Sequence, residues 1–315
     1  MIIYRDLTTL EEFADVVRLE REIWGPTYDD VVPVSILAVS VHSGGILIGA
    51  FDDAGRTSHG GPGAAPDAPG TTHLVPSSMI GFVYSLPGIK DAKATQWSHM
   101  AGVLPEYQSR GIGFQLKLLQ RERALAAGLD LIQWTYDPLQ AMNAHLNFAK
   151  LGIVCNEYAV NIYGMSSSPL HGGNPTDRFV ADWWIRTPHV ERRLTPAAQR
   201  PAEVAQGGGE VAQGFSPAMV IRDQSVADAV RVNRAEPAGE WFECAGVDRT
   251  LDARRVLVEI PMGFTAMLSR APDVALAWRL ATREIFTTYF GRGYRAVEFF
   301  LDRPSRRGTY LLVRN

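Results

Sequence analysis

Cysteine is almost missing from this sequence. Cys155 and Cys244 are the only two, far apart and in no CxxC spacing, which argues against a disulfide framework and against a thiolate zinc site. Long apolar runs are missing too: no window holds the roughly 18 apolar residues a membrane helix needs. Neither sign of charge dominates, since 31 Lys and Arg against 34 Asp and Glu leave a formal −3. That balance argues against a generic nucleic-acid binder. The opening residues, MIIYRDLTTLEEF, turn acidic where an export signal would stay apolar. The expectation is a soluble cytoplasmic protein with no membrane or nucleic-acid partner. What is present is ample core material, with 46% of 315 residues hydrophobic, enough for one large domain or two ordinary ones.

Two stretches break the globular pattern. Residues 52–78 are dominated by Gly, Ala, Pro and Ser between two apolar runs, Ile46–Phe51 and Met79–Leu86, that read as neighbouring strands. They read as a flexible insertion at a hairpin tip. Residues 195–214 carry Ala, Gln and a triple Gly and read as a linker. The expected division is a domain over 1–194, the linker, and a C-terminal α+β domain over 215–315. Before the linker, Leu10–Trp24 carries apolar residues at helical spacing behind Thr8 and Thr9 as candidate caps. Gln96–Leu104, Leu129–Tyr136 and Val154–Tyr163 read as strands. Phe114–Ala127 and Leu139–Leu151 read as helices closed by Gly128 and Gly152. This order predicts an α/β chain with a mixed sheet and helices on its faces. After the linker, strands at Arg255–Ile260, Ala296–Leu301 and Tyr310–Val313 surround a long helix near Val274–Phe290. That helix fits a core element better than a partner surface, with a homodimer interface as the second reading.

Chemistry concentrates in His99–Leu125. A strand runs into the turn Gln108-Ser109-Arg110-Gly111-Ile112-Gly113, and a helix follows at once. Glycines keep side chains away from a ligand, and the first amides of a helix are unpaired at the positive end of its dipole. Such a turn can cradle a pyrophosphate, with Arg110 adding a charge-assisted contact. A P-loop is excluded because no Lys-Ser/Thr follows, and a Rossmann turn because the third glycine is absent.

This block, from Val103-Leu104-Pro105 through Gly113 into the long helix, resembles the pyrophosphate-binding segment of the GNAT (Gcn5-related N-acetyltransferase) superfamily. WTYDPLQAMNAHLNFAKLG, Trp134–Gly152, resembles its second signature. NEYAVNIYG, PTDRFVADWWI and WRLATREIFTTYFGRGY are similar to a subgroup of acyltransferases linked to N-succinylamino acid metabolism. The resemblance implies a mostly antiparallel sheet with a splayed central parallel strand pair, and an acyl-CoA donor, acetyl-CoA or succinyl-CoA, with no metal. It further implies that Met100, Ala101 and Val103 pair with the pantetheine arm, that Gln108, Ser109, Arg110, Gly111, Ile112 and Gly113 hold the pyrophosphate, and that Asn143 lies near the thiol.

The sequence departs from that pattern at Phe148, where many GNAT enzymes place a tyrosine that protonates the leaving thiolate. Tyr136 and Tyr158 are the nearest substitutes, Tyr158 being taken as the candidate acid. His99 is the first candidate base, because imidazole titrates near neutrality, and Asp177 is a further catalytic candidate whose carboxylate could hold an ammonium group. Arg178 could clamp a substrate carboxylate, and Asp137 in Tyr-Asp-Pro is either a substrate contact or a turn residue. Deprotonating a lysine side chain at pH 7 costs roughly 4–5 kcal/mol, so a small α-amine is the easier acceptor. Two functions follow: an N-acyltransferase acting on a small-molecule amine, an amino acid first, or a GNAT-like module that binds acyl-CoA as a sensor without turnover.

Overall fold

The computed structural model describes residues 1–26, 28, 30–52, 78–164, 173–195, 226 and 228–314. The expected insertion over 52–78 and linker over 195–214 therefore lie outside the described residues, apart from Asp52, Ser78 and Thr195. The chain divides into two compact units, Met1–Ile132 and Gln133–Asn315.

In the first unit, β1 (Ile2–Asp6), β2 (Ile46–Asp52), β3 (Met79–Lys90) and β4 (Lys93–Val103) form an antiparallel run in that order. Helix α1 (Leu10–Trp24) starts where the sequence says it should. The Thr9 hydroxyl accepts the Glu12 N–H at 3.3 Å and Glu12 accepts the Thr9 N–H at 3.0 Å, a reciprocal capping box. Its Phe13, Val16 and Leu19 turn inward to a core shared with Leu47, Phe82, Tyr84 and Met100. Helix α2 (Val34–His42) escapes the sequence reading because VSILAVSVH is apolar on every side, which leaves helix and strand undecided. Asp91 and Ala92, with φ of 49° and 61°, turn β3 into β4. Helix α3 (Ile112–Ala126) completes the unit.

Strand β5 (Leu131–Tyr136), which enters the second unit at Gln133, is joined to β7 (Arg178–Trp184) by a Gln133–Asp182 hydrogen bond of 2.7 Å. Beyond β7 the order is β6 (Val154–Ala159), β12 (Tyr294–Asp302), β13 (Arg307–Arg314), β11 (Arg255–Pro261) and β8 (Val230–Arg231). Strand β6 pairs antiparallel with β7 and β12, and β13 with β12 and β11, while β8 runs parallel to β11. A separate hairpin joins β9 (Arg234–Ala238) and β10 (Trp241–Ala245). The fold is mixed α/β with mostly antiparallel strands. The expected helix over Leu139–Leu151 is one α-turn, α4 (Ala141–Ala144), that widens into a π-helical segment, His145–Leu151. Short α5 (Pro188–Leu194) and α6 (Phe264–Arg270) precede the long α7 (Pro272–Gly291), which turns Trp278, Ile285, Phe286 and Tyr289 inward. Phe179 meets Phe286 at 4.6 Å and Tyr310 at 5.4 Å, so aromatic rings from β7, α7 and β13 build one core.

Candidate functional site

The first unit holds the glycine turn. Ser109 and Gly111 both have positive φ, 63° and 81°, while the residues around them do not. Two left-handed residues flanking Arg110 turn this backbone sharply, and such turns can aim neighbouring amides at an anion. Gly111 is also the N-cap of α3, and a Cβ built on it would meet nothing within 4 Å. The turn therefore faces open space and keeps glycine for its backbone conformation. The first helical bond runs from the Gln115 N–H to the Gly111 carbonyl at 3.0 Å, which leaves the preceding α3 amides without an intrahelical partner. The turn is braced rather than loose: Gln108 donates to the Val103 carbonyl at 3.1 Å, and Arg110 donates to the Glu106 carbonyl at 2.8 Å while lying over the Tyr107 ring. Tyr107 in turn donates to Asp52 at 2.9 Å. Gln108, Ser109, Arg110 and Gly111 are exposed, so all four remain accessible to a ligand.

Gly113 differs from Gly111. Its φ is ordinary, and a Cβ there would touch only Val103 at 3.9 Å. Gly113→Ala is therefore expected to raise stability by about 0.5 kcal/mol. If the ligand approaches this backbone, the same change weakens CoA binding. Calorimetric binding with a urea unfolding curve checks both, and unchanged affinity would move the pyrophosphate away from Gly113.

The strand leading to this turn is irregular at one point. Tyr84 pairs with Met100 and Ser85 with Ser98, so His99 is the additional residue of a β-bulge. Bulges re-aim a side chain and interrupt pairing. The His99 imidazole is solvent-accessible and meets the Tyr84 ring edge-on at 6.0 Å. Partial desolvation by surrounding protein holds it below its ordinary value, so it is neutral and proton-accepting at pH 7. Met100 is buried, Val103 half-buried and Ala101 exposed. The groove on the outer face of α1, lined by Ala14, Val17, Arg18, Arg21, Glu22 and Pro26, contains none of these residues.

The second unit gathers the other candidates, and their bonding is decisive. Asp177 has no exposed surface. Its carboxylate accepts from Arg283 at 2.8 and 2.9 Å, from the Tyr158 hydroxyl at 2.9 Å and from the Asn161 N–H at 2.9 Å. Burial works to raise its pKa, but these donors outweigh it and hold it below the usual carboxylate range. Such a carboxylate is a poor base. Tyr158 is spent on the same contact, and burial pushes its phenol far above the ordinary value, which makes it a weak acid. Asp137 is both a turn residue and an ion-pair partner: it accepts the Leu139 N–H at 2.9 Å and a bidentate pair from Arg279 at 2.8 and 2.6 Å. Arg178 is buried, donates to the Asp177 main-chain carbonyl at 2.9 Å, and lies 5.7 Å from the Tyr163 ring centroid.

Phe148 is fully buried against Tyr136 and Tyr310. The Tyr136 hydroxyl sits 3.4 Å from that of Tyr310, and burial raises both phenols. Asn143 is exposed on α4, immediately before the π-helical segment, and such segments recur at functional sites. Sequence reasoning missed Arg279 and Arg283. Their only local signal is an i, i+4 pair of arginines within an otherwise core-facing helix. Among the described residues no cluster of three His, Cys, Asp or Glu could hold a metal, and no helix is long and apolar enough to cross a membrane.

No family model matches the sequence, and no curated protein matches it. Among solved structures the chain is similar to an acetyltransferase of the GNAT family from Streptococcus pneumoniae, at 14% identity and a TM-score of 0.41, covering 58% of this chain and 98% of that one. It is similar to Arabidopsis thaliana NAA60 in complex with acetyl-CoA, at 13% identity and 0.41, covering 58% and 99%. A third is the PaiA N-acetyltransferase from Thermoplasma acidophilum in complex with coenzyme A, at 15% and 0.35, covering 58% and 98%.

Proposed function

We propose that this protein transfers an acyl group from an acyl-CoA to the amine of a small molecule. The observation that carries this reading is the Ser109–Gly111 turn at the head of α3, reached from a strand whose bulged residue is an accessible, neutral histidine. The turn suits a pyrophosphate, because the left-handed Ser109 and Gly111, open space at Gly111 and the Arg110 charge lie together there. Met100, Ala101 and Val103, on the strand that leads to the turn, are the residues assigned to the pantetheine arm. The thioester supplies an activated carbonyl; this chain binds it, orients the amine and removes a proton. His99 is the base assigned to that step. Asp177 and Tyr158 act as an anchor for Arg283 and not as base and acid, since their protons and lone pairs are committed to each other. A thiol of pKa near 8.5 is a tolerable leaving group without an acid. Arg178 remains the residue suited to a carboxylate, whether of an amino acid or of a succinyl chain. Asp137 gives up a substrate-binding role to Arg279. An amino acid acceptor and a succinyl donor are the finer parts of this proposal.

Thiol release from acetyl-CoA and succinyl-CoA, each offered with L- and D-amino acids and simple amines, tests it. Acceptor-dependent release is expected, and His99→Gln should lower it about 10²–10⁴-fold with CoA binding retained. CoA binding without release for any acceptor would replace the enzyme with a binding module, the reading that Phe148 favours.

A further inference from the structure

The bulge at His99 is held from both faces of β4. In a regular strand, residues two apart point to the same face. Ser98 and Met100 do not, because their partners on β3, Ser85 and Tyr84, are consecutive and face opposite ways. Met100 joins the α1 core with Val16, Leu19 and Tyr84. Ser98 turns instead to α3, where its Oγ accepts from Lys117 Nζ at 2.8 Å and from Gln120 Nε2 at 3.1 Å. Lys117 donates also to Gln120 Oε1 at 3.3 Å, which closes a polar cluster of three side chains. All three are buried, with exposures of 4% for Ser98, 7% for Lys117 and 0% for Gln120.

An apolar side chain at position 98 would pack beneath α3 without desolvating an amine and an amide. What the cluster adds is a fixed position. A strand held by apolar contacts alone can slip by one residue, which moves every side chain to the other face. Two hydrogen bonds from one helix accept a single placement of Ser98, and the α1 core sets Met100 independently. Regular alternation cannot satisfy both anchors, so the residue between them must bulge. That residue is His99, whose imidazole is accessible beside the Tyr84 ring.

We propose that Ser98, held by Lys117 and Gln120, is a positioning residue for the acyl transfer: it fixes the bulge that presents the His99 imidazole to the acceptor amine. This rests on the N-acyltransferase reading, in which His99 takes the amine proton. Ser98 itself touches neither donor nor acceptor. Without its hydroxyl, β4 relaxes toward regular pairing and His99 turns away. The loss falls on the chemical step and not on CoA binding, since the turn at 108–113 is braced by its own bonds to Val103 and Glu106.

Ser98→Ala in the full chain tests this through rate, binding and spectrum. The kcat for thiol release should fall about 10–10²-fold, with CoA affinity and the acceptor KM unchanged. Nuclear Overhauser contacts between the His99 and Tyr84 rings should be present in wild type and lost in S98A. Ser98→Thr keeps the hydroxyl and should recover most of the rate and the contacts. S98A takes an acceptor from the buried Lys117; S98A/K117M removes that amine, and its kcat should be as low, whether or not S98A folds. Wild-type kcat in either folded variant would overturn this proposal alone. So would equal losses in S98A and S98T, which would mark a packing effect. A wild type without the His99–Tyr84 contacts would overturn it whatever the variants do. Wild type that binds CoA but acylates no amine would overturn the enzyme reading and this one together.

Discussion

Lys117→Met raises the stability of the protein at pH 6 by several kcal/mol, about 5 at most, and by almost nothing near pH 10.5. Lys117 is buried on α3, where its ammonium donates to Ser98 Oγ at 2.8 Å and Gln120 Oε1 at 3.3 Å. Burial lowers its pKa from 10.5 to about 7. The sign follows from proton counts. Between about pH 7 and 10.5 the unfolded chain holds a proton the folded one has lost, so stability rises with pH across that window. Below 7 the folded protein carries the full cost of a buried ammonium, about 5 kcal/mol for a shift of this size. Methionine keeps the length of the side chain and removes the charge. Ser98 stays bonded, because Gln120 Nε2 also donates to it at 3.1 Å. Urea unfolding at pH 6 and 9.5 measures the difference. A stability gap between wild type and variant that did not narrow with rising pH would defeat the account.

Removing Arg279 has the opposite sign and similar size. Arg279 and Asp137 form a bidentate pair with side-chain exposures of 2% and 11%. Burial opposes the arginine's charge, but Asp137 outweighs it and raises the pKa. Arg279→Met leaves a largely buried carboxylate without its partner, which costs about 3–5 kcal/mol. Adding Asp137→Asn should recover much of that loss, because the double variant has no uncompensated charge and asparagine can still accept the Leu139 N–H. Unfolding free energies of the two singles and the double form a cycle that separates pairing from packing. Additive singles would show that the pair contributes only its separate contacts.

What the sequence disclosed and what it hid divide along range. The capping box at Thr9 and Glu12, the glycine turn at 108–113 and the C-terminal glycines at 128 and 152 are written in consecutive residues, and α1 begins and ends at Leu10 and Trp24 as read. The assignments that changed depend on partners far away. Asp137 meets an arginine 142 positions on, and Asp177 one 106 positions on. No local spacing announces either contact. Glu20 is hidden for another reason: a glutamate within LEREIW reads as the solvated side of a helix, and only the packing of α1 turns it inward. The bulge at His99 is equally invisible, since it arises from how β3 pairs and not from composition.

The two arginines of α7 have a consequence for how this chain can be shortened over evolutionary time. Arg279 and Arg283 neutralise carboxylates that belong to the end of β5 and the start of β7. A gene that lost everything after residue 225 would remove the guanidinium partners of Asp137 and Asp177 together with the α7 and β13 rings that complete the core around them. The C-terminal third thus behaves as a debt already incorporated into the rest of the unit. Descendants can vary its surface freely, yet discarding it costs both aspartates their partners and β7 the rings it packs against.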